Sequence, residues 1–336
     1  MDTISSKAIE EHFYRFAVRF DLFKSKGRIG MGVSGGPDSV CLALLMKRYA
    51  QQMLLDPIVI HVNHHLRGKE SDRDERFVRE LARDALGLEF AGYDVRFTRN
   101  ELKGNSPEAI ARDKRYAAFE QARRTLNLGC IALAHTMNDN AETVLLNMLR
   151  GTGITGMGGI PPVRDYIVRP MLGLSRDDVM AYLRSKKAAY MHDSTNDSAD
   201  HLRNRVRHEI IPELIKLNPG FLNHTLSLSC DLREIDVFLN NASLKAYADV
   251  ATDNGHGKLF LDIKKLLGYD RPIIERILQM AIRAMLDTHY NPRREYIDHT
   301  MDILMERDDN SRTLAMFPDR LRIYKDSRAL ILDKLR

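Results

Sequence analysis

The chain reads as an α/β protein: a doubly wound parallel sheet over residues 1–215, then a smaller, mainly helical domain over 216–336. Three observations carry that reading. Short apolar runs alternate with helical patterns through the first part of the chain, the signature of parallel strands with helices on both faces. One such run leads through Ser34-Gly35-Gly36-Pro37-Asp38-Ser39 directly into a helix, a turn suited to holding an anion. Beyond about residue 216 the strand patterns give way to helical ones.

The elements follow in order. Residues 5–24 form an amphipathic helix, with Ile9, Phe13, Phe16, Ala17 and Phe20 on one face. Strands are expected at 28–33, 57–63, 90–97, 129–134 and 166–171, and helices at 38–51, 71–87, 107–127, 139–150 and 175–187. Sheets of this kind bind ligands beyond the C-terminal ends of their strands, at a switch in strand order. The C-terminal part is expected as helices 219–247, 261–267, 271–287 and 292–307, with a small hairpin in 312–333.

At 336 residues the chain should hold about two domains. A net charge of +5 and a pI near 9.0 suit a polyanionic partner without demanding one. Cys41, Cys130 and Cys230 are too scattered for a disulfide framework or a paired-cysteine motif, which suits a reducing cytoplasm. No secretory leader and no apolar run long enough to span a bilayer is seen, so no membrane partner is expected.

The chemistry concentrates at strand ends. In the Ser34–Ser39 stretch, glycines allow close approach of the backbone and Pro37 suits the first helical turn, where its missing N–H costs nothing. An acid at Asp38, amid phosphate-binding groups, points to a cation such as Mg²⁺ between them. The second strand runs into Asn63, His64 and Arg67, polar groups able to recognise a nucleotide; a zinc site lacks further ligands. Ser106 and Pro107 open a helix that sets Glu108, Arg112 and Arg115 on one face. The fourth strand delivers His135, Asp139 and Glu142. Five glycines between 151 and 159 mark a loop that turns tightly or lies against a ligand. Arg203, Arg205 and Arg207 form a basic helix, a candidate contact for a nucleic-acid backbone, which Pro212 is expected to kink or end.

The hexapeptide resembles the phosphate loop of the N-type ATP pyrophosphatases, or PP-loop superfamily. The blocks at 61–67, 108–116, 135–143, 150–160, 169–172 and 203–212, in this order, resemble the tRNA(Ile)-lysidine synthetase family. That resemblance implies ATP and Mg²⁺ as cofactors, and as substrates free L-lysine and an isoleucine tRNA with a CAU anticodon. It implies adenylation of the wobble cytidine at its C2 oxygen, then attack by the lysine ε-amine. It places phosphate on Ser34, Gly35, Gly36, Pro37 and Ser39, the metal on Asp38, and the nucleotide near Asn63, His64 and Arg67. Arg112, Arg115, His135, Asp139 and Glu142 then face the reacting centre. Where the family usually carries two acids this chain has Asn138-Asp139, so the weight falls on Asp139. A homodimer is expected, and a shorter C-terminal region than in longer members. Competing readings are a PP-loop tRNA thiolase, for which paired cysteines are missing, an ammonia-using synthetase, and a nucleotide-binding module without turnover.

Overall fold

The computed structural model describes residues 5–335 apart from 25, 66–67, 97–106, 192–200, 254–256, 287–291, 306–312 and 317–320. It divides into two compact units, Met1–Leu232 and Arg233–Arg336. That division falls inside a long helix, later than the boundary at 215/216 read from the sequence.

The first unit begins with α1 (Ser6–Arg19), capped by Ser5, whose hydroxyl accepts from the Ala8 N–H at 3.3 Å. There follow β1 (Gly27–Gly32), α2 (Pro37–Met53), β2 (Leu55–Asn63), α3 (Lys69–Glu80), β3 (Phe90–Asp94), α4 (Pro107–Thr125), β4 (Ile131–Ala132) and α5 (Met137–Leu149). A short α6 (Ile154–Met157), β5 (Val163–Arg164), β6 (Ile167–Val168), α7 (Arg176–Lys186), α8 (His201–Arg205) and α9 (Ile211–Leu217) complete it, and α10 (Phe221–Val250) runs across the division. The sheet order is β3-β2-β1-β4-β6-β5, parallel throughout except for the β5 edge. The chain therefore builds outward from β1 to β3, then returns to the other side of β1. The switch point lies between β1 and β4, and the Ser34–Ser39 loop and the His135–Asp139 segment leave the sheet there.

Packing on the two faces differs. One face buries Phe13, Val40, Leu42, Val179 and Tyr182 from α1, α2 and α7. The other packs Phe119 and Ala122 of α4 onto Ile58, Ile60 and Ile131. Two strand glycines permit this: a Cβ on Gly30 would run into Ile60 and meet Leu128 at 3.0 Å, and one on Gly32 would meet Leu133 and Phe119. Glu10 of α1 is buried but satisfied, accepting from the Tyr182 hydroxyl at 3.0 Å and pairing with Lys186 at 2.9 Å. Both partners sit on α7, so α1 fixes that helix.

Three details depart from expectation. Strands β4 and β6 are shorter than their apolar runs, because Pro170 opens a 3-10 turn over Pro170–Gly173. The edge strand β5 was not anticipated. Pro212 does not end the helical course: a π turn over Val206–Ile210 precedes it, and α9 continues with proline in its first turn.

The second unit adds a small antiparallel sheet to its helices. β7 (Ala251–Asp253), β8 (Lys258–Asp262), β9 (Thr313–Met316), β10 (Leu321–Lys325) and β11 (Ala329–Lys334) form an antiparallel sheet ordered β7-β8-β11-β10-β9. The expected hairpin is β10–β11, and the expected helix 261–267 starts later, its first two residues ending strand β8 and the helix itself being the single turn α11 (Ile263–Leu266). Helices α12 (Arg271–Met285) and α13 (Arg294–Met305) supply Ile274, Ile277, Ile297 and Met301 to the core that also holds Leu261 and Leu332. Among the described residues no helix is long and apolar enough to cross a membrane.

Because no space exists for a methyl group over β1, Gly30→Ala should destabilise the protein by about 1–3 kcal/mol. A urea unfolding curve followed by circular dichroism would show the lowered midpoint; an unchanged midpoint would mean that Ile60 and Leu128 do not close over Gly30 as described.

Candidate active site

The loop after β1 curls around one hydroxyl. Ser39 Oγ accepts from the Ser34 and Gly35 N–H groups, both at 3.2 Å, and donates to the Gly36 carbonyl at 2.9 Å. Gly35 has φ +96°, a conformation that favours glycine, and its carbonyl accepts from the Met191 N–H at 2.9 Å. Gly36 precedes α2 and Pro37 opens it, so the first N–H groups of that helix face the loop with no intrahelical acceptor. Backbone donors converging on a helix N-terminus form an anion cradle.

Asp38 sits in the first turn of α2. Burial pushes its carboxyl up to about 6, the Arg176 guanidinium working against that rise. Arg176 opens α7 and approaches three acids: Asp38 at 4.0 Å, Asp139 at 3.4 Å and Glu142 at 3.8 Å. Arg207 grips Glu142 through two bonds of 2.6 and 2.7 Å and lies 3.8 Å from Asp139. Three carboxylates thus share two guanidinium groups, and the cluster has one negative charge in excess when all are ionised.

Each member is held by its own element. Asp139 is the third residue of α5, and its Oδ2 accepts from the Thr136 N–H and hydroxyl at 2.8 and 3.0 Å, leaving Oδ1 for the arginines. Ser175 and Asp178 make the same reciprocal cap at the start of α7. Asn138 accepts the Arg176 backbone N–H at 2.9 Å through Oδ1. An amide oxygen meets that need without adding a fourth negative charge to the cluster. Glu142 lies one turn after Asn138, on the same face of α5.

His135 lies in the segment leaving β4, between charges of opposite sign. Burial, with Arg169, Arg112 and Arg115 nearby, pushes its imidazole down to about 4, against the pull of Asp139. Its buried Nδ1 meets no hydrogen-bond partner among the described residues. His64 is similarly pushed down to about 4 by burial, with Arg115 and two neighbouring histidines adding to the shift. Asn63 is buried, donating to Glu75 at 3.0 Å and accepting from the His65 N–H at 2.9 Å. Both ends of that amide therefore serve the strand end. The glycine-rich loop packs on α5: Asn140 accepts from the Ile160 N–H and Asn147 donates to the Gly156 carbonyl, at 2.9 and 2.8 Å.

The structure thus brings Asp38, Asp139 and Glu142 together and sets His135, Arg112 and Arg115 on a neighbouring basic side. Arg67 and the side chain of Glu108 lie outside the described residues. The three arginines of the basic helix do not act as one face. Arg207 turns to the acid cluster, Arg203 shares its side of the helix, and Arg205 is exposed and pairs with Glu209 at 3.3 Å. Arg176 was not identified from the sequence; its position directly after a helix-capping serine, close behind the Arg169–Leu172 strand end, is the available signal. Among the described residues no three His, Cys, Asp or Glu side chains are arranged to hold a metal. The donor set still suits Mg²⁺, which takes one or two carboxylates and completes its shell with substrate phosphates and water; Asp38 is the candidate ligand. The three cysteines are buried; burial pushes the Cys130 thiol up to about 12 and that of Cys41 higher still.

A parallel sheet with a phosphate cradle and acidic residues at its switch point defines a nucleotide-handling α/β protein. The PP-loop domain family matches residues 4–214, and the chain belongs to that family, which implies ATP as its nucleotide. Curated relatives named tRNA(Ile)-lysidine synthase include one from Parabacteroides distasonis, 42% identical over 208 residues, covering 61% of this chain and 46% of the relative. Those from Clostridium acetobutylicum and Symbiobacterium thermophilum are 32% and 33% identical, covering 82% and 86% of this chain and 60% and 62% of theirs. The chain therefore spans about half to three fifths of these relatives' length. Among solved structures, the U34-tRNA thiolase NcsA from Methanococcus maripaludis matches 67% of this chain and 80% of its own, with a TM-score of 0.57 and 21% identity; it shares the fold.

The raised carboxyl of Asp38 carries a sign that can be read. Its folded value near 6 exceeds the usual 3.8, so the folded state holds the proton more tightly. That contribution is complete below about pH 4 and is lost as pH rises through 6. In metal-free buffer, Asp38→Asn should therefore gain about 1–3 kcal/mol relative to wild type between pH 4 and pH 8. Urea midpoints of both proteins across that range test it, and parallel curves would count against the buried carboxyl.

Proposed function

We propose that this chain is a tRNA(Ile)-lysidine synthase: it adenylates the C2 oxygen of the wobble cytidine in a CAU-anticodon isoleucine tRNA and joins free L-lysine there. The observation that carries the reading is Arg176, which joins the acid of the phosphate loop, Asp38, to Asp139 and Glu142 at the next strand end. A nucleotide site and a pair of carboxylates are thereby contiguous. ATP chemistry alone has no use for the second; a cationic amine does. The names of the relatives supply the substrate.

The chemistry follows from the geometry. A pyrimidine carbonyl oxygen is a poor leaving group until it carries a phosphoryl substituent. The Ser34–Ser39 cradle and the N-terminus of α2 hold the phosphates, and their fixed donors favour charge that accumulates on departing pyrophosphate. Mg²⁺ bound at Asp38 would neutralise phosphate charge. Asp139 and Glu142 receive the lysine ε-ammonium, and Arg176 and Arg207 orient both acids. The amine must lose a proton before attack. His135, kept neutral by burial, and the nearby carboxylates are the acceptors in reach of the same centre. The amine displaces AMP, forming the C–N bond. On this reading residues 1–215 carry adenylation and 216–336 bind tRNA, with Arg203 and Arg205 as further backbone contacts.

A thiolase would need accessible cysteines for sulfur transfer, whereas Cys41 and Cys130 are buried with their thiols held protonated.

Radiolabelled lysine should enter unmodified CAU-anticodon isoleucine tRNA in the presence of this protein, ATP and Mg²⁺. Asp38→Ala should reduce incorporation at least about a hundredfold. Glu142→Gln should raise the lysine KM at least about tenfold while RNA-dependent pyrophosphate release persists. Pyrophosphate release with no label in the RNA would keep adenylation and exclude lysine as the nucleophile. No turnover from folded protein would leave a nucleotide-binding module.

A further inference from the structure

Beside the acid cluster lies a group of cations that the reading above does not use. Arg169, at the end of β6, is only 2% exposed. Its Nη1 donates to the Pro161 carbonyl at 2.7 Å, its guanidinium hydrogen-bonds the Tyr116 side chain, and its Nε has no partner among the described residues. Around the same tyrosine, Arg164 of β5 and Arg112 of α4 stand 5.5 and 5.7 Å from the ring centroid. Among the described residues no carboxylate lies within ion-pair distance of these three arginines. Glu120, further along α4, is committed to Arg123 and Arg124 at 2.6–2.9 Å. Tyr166 adds a second ring, covered by Arg123 at 5.2 Å and tied through its hydroxyl to the Tyr116 carbonyl at 3.3 Å.

A guanidinium buried without a counter-charge is costly, and two neighbouring cations raise the cost. The Pro161 carbonyl and the Tyr116 side chain still leave donors of the five unmet, Nε among them. A bound anion would resolve the imbalance. The phosphate chain of the nucleotide is poorly placed to be that anion: β6 lies two strands from β1, roughly 10 Å away, and the β1 loop has donors of its own. Arginines interleaved with aromatic rings are the combination that single-stranded RNA uses, phosphate against guanidinium and base against ring.

We propose that Arg169, Arg164 and Arg112, arranged around Tyr116, form a phosphate-binding site for the backbone of the RNA substrate next to the reacting base. The proposal rests on the reading of an RNA substrate given above and adds where its backbone is held. The β5–β6 hairpin, an antiparallel addition to a parallel sheet, then has a role: it carries Arg164 to the sheet edge and delivers Arg169 beneath it.

The test is a titration of the full chain with a labelled RNA stem-loop bearing a CAU loop, at several salt concentrations, alongside ATP binding by the same proteins. Arg164→Gln, on an exposed hairpin, should weaken RNA binding about three- to tenfold and reduce the slope of log affinity against log salt by about one, with ATP affinity unchanged. Arg169→Lys, which keeps charge but loses the fork, should weaken RNA binding to a similar degree; if it fails to fold, Arg164→Gln decides. Wild-type RNA affinity and salt slope in Arg164→Gln would overturn the site while leaving the substrate reading intact. Loss of ATP affinity instead of RNA affinity would assign the anion to the nucleotide and overturn it. Failure of the wild-type chain to bind the stem-loop, with ATP binding intact, would remove the substrate reading and this site with it.

Discussion

The arrangement depends on one cation reaching three acids. Without Arg176, Asp38, Asp139 and Glu142 would face one another with only Arg207 between them, and like charges in a partly dry site repel strongly. Its placement is correspondingly over-determined. The Arg176 N–H is accepted by Asn138, the turn before it is closed by the Ser175–Asp178 cap, and the far end of α7 is fixed by Tyr182 and Lys186 on Glu10. The amphipathic first helix therefore reaches the candidate site through a buried acid. Its hydrophobic face sets the height of α7 on the sheet, and Glu10 fixes its position.

What was legible in the sequence was what is local. Alternating strand and helix patterns, glycines at a strand-to-helix turn, and capping residues all act within a few positions, so the sheet, the phosphate loop and the start of α5 could be read directly. Arg176 and Arg207 could not, because their meaning comes from acids far away in sequence. Arg207 looked like part of a basic stripe, yet helical geometry separates it from Arg205 and turns it toward Glu142. The strands β7 and β8 were missed for a different reason. Short runs flanking a loop, between long helical patterns, carry little periodicity of their own, and they become strands only as β8 pairs with β11 and β7 pairs with β8. The π turn before Pro212 is also a tertiary solution, since propensity alone would end the helix there.

The same desolvation acts in opposite directions on neighbouring groups. It raises the Asp38 carboxyl and lowers the His135 imidazole, so both move toward their neutral forms. His135 feels Asp139 from one side and Arg112, Arg115 and Arg169 from the other. It marks the line along which the site changes sign, acids toward α5 and α7, arginines toward α4 and the β5–β6 hairpin.

A division of this kind suits a reaction whose two partners are oppositely charged. On the proposed reading, a nucleic-acid backbone and an amino-acid side chain must meet at one base. A uniformly basic site would hold the RNA and repel the ammonium; a uniformly acidic one would do the reverse. Setting the two fields on adjacent strand ends lets each attract its partner, and the sheet fixes the distance between them. The β1–β4 switch point supplies the geometry, because it is where loops leaving neighbouring strands diverge and leave room for two substrates instead of one.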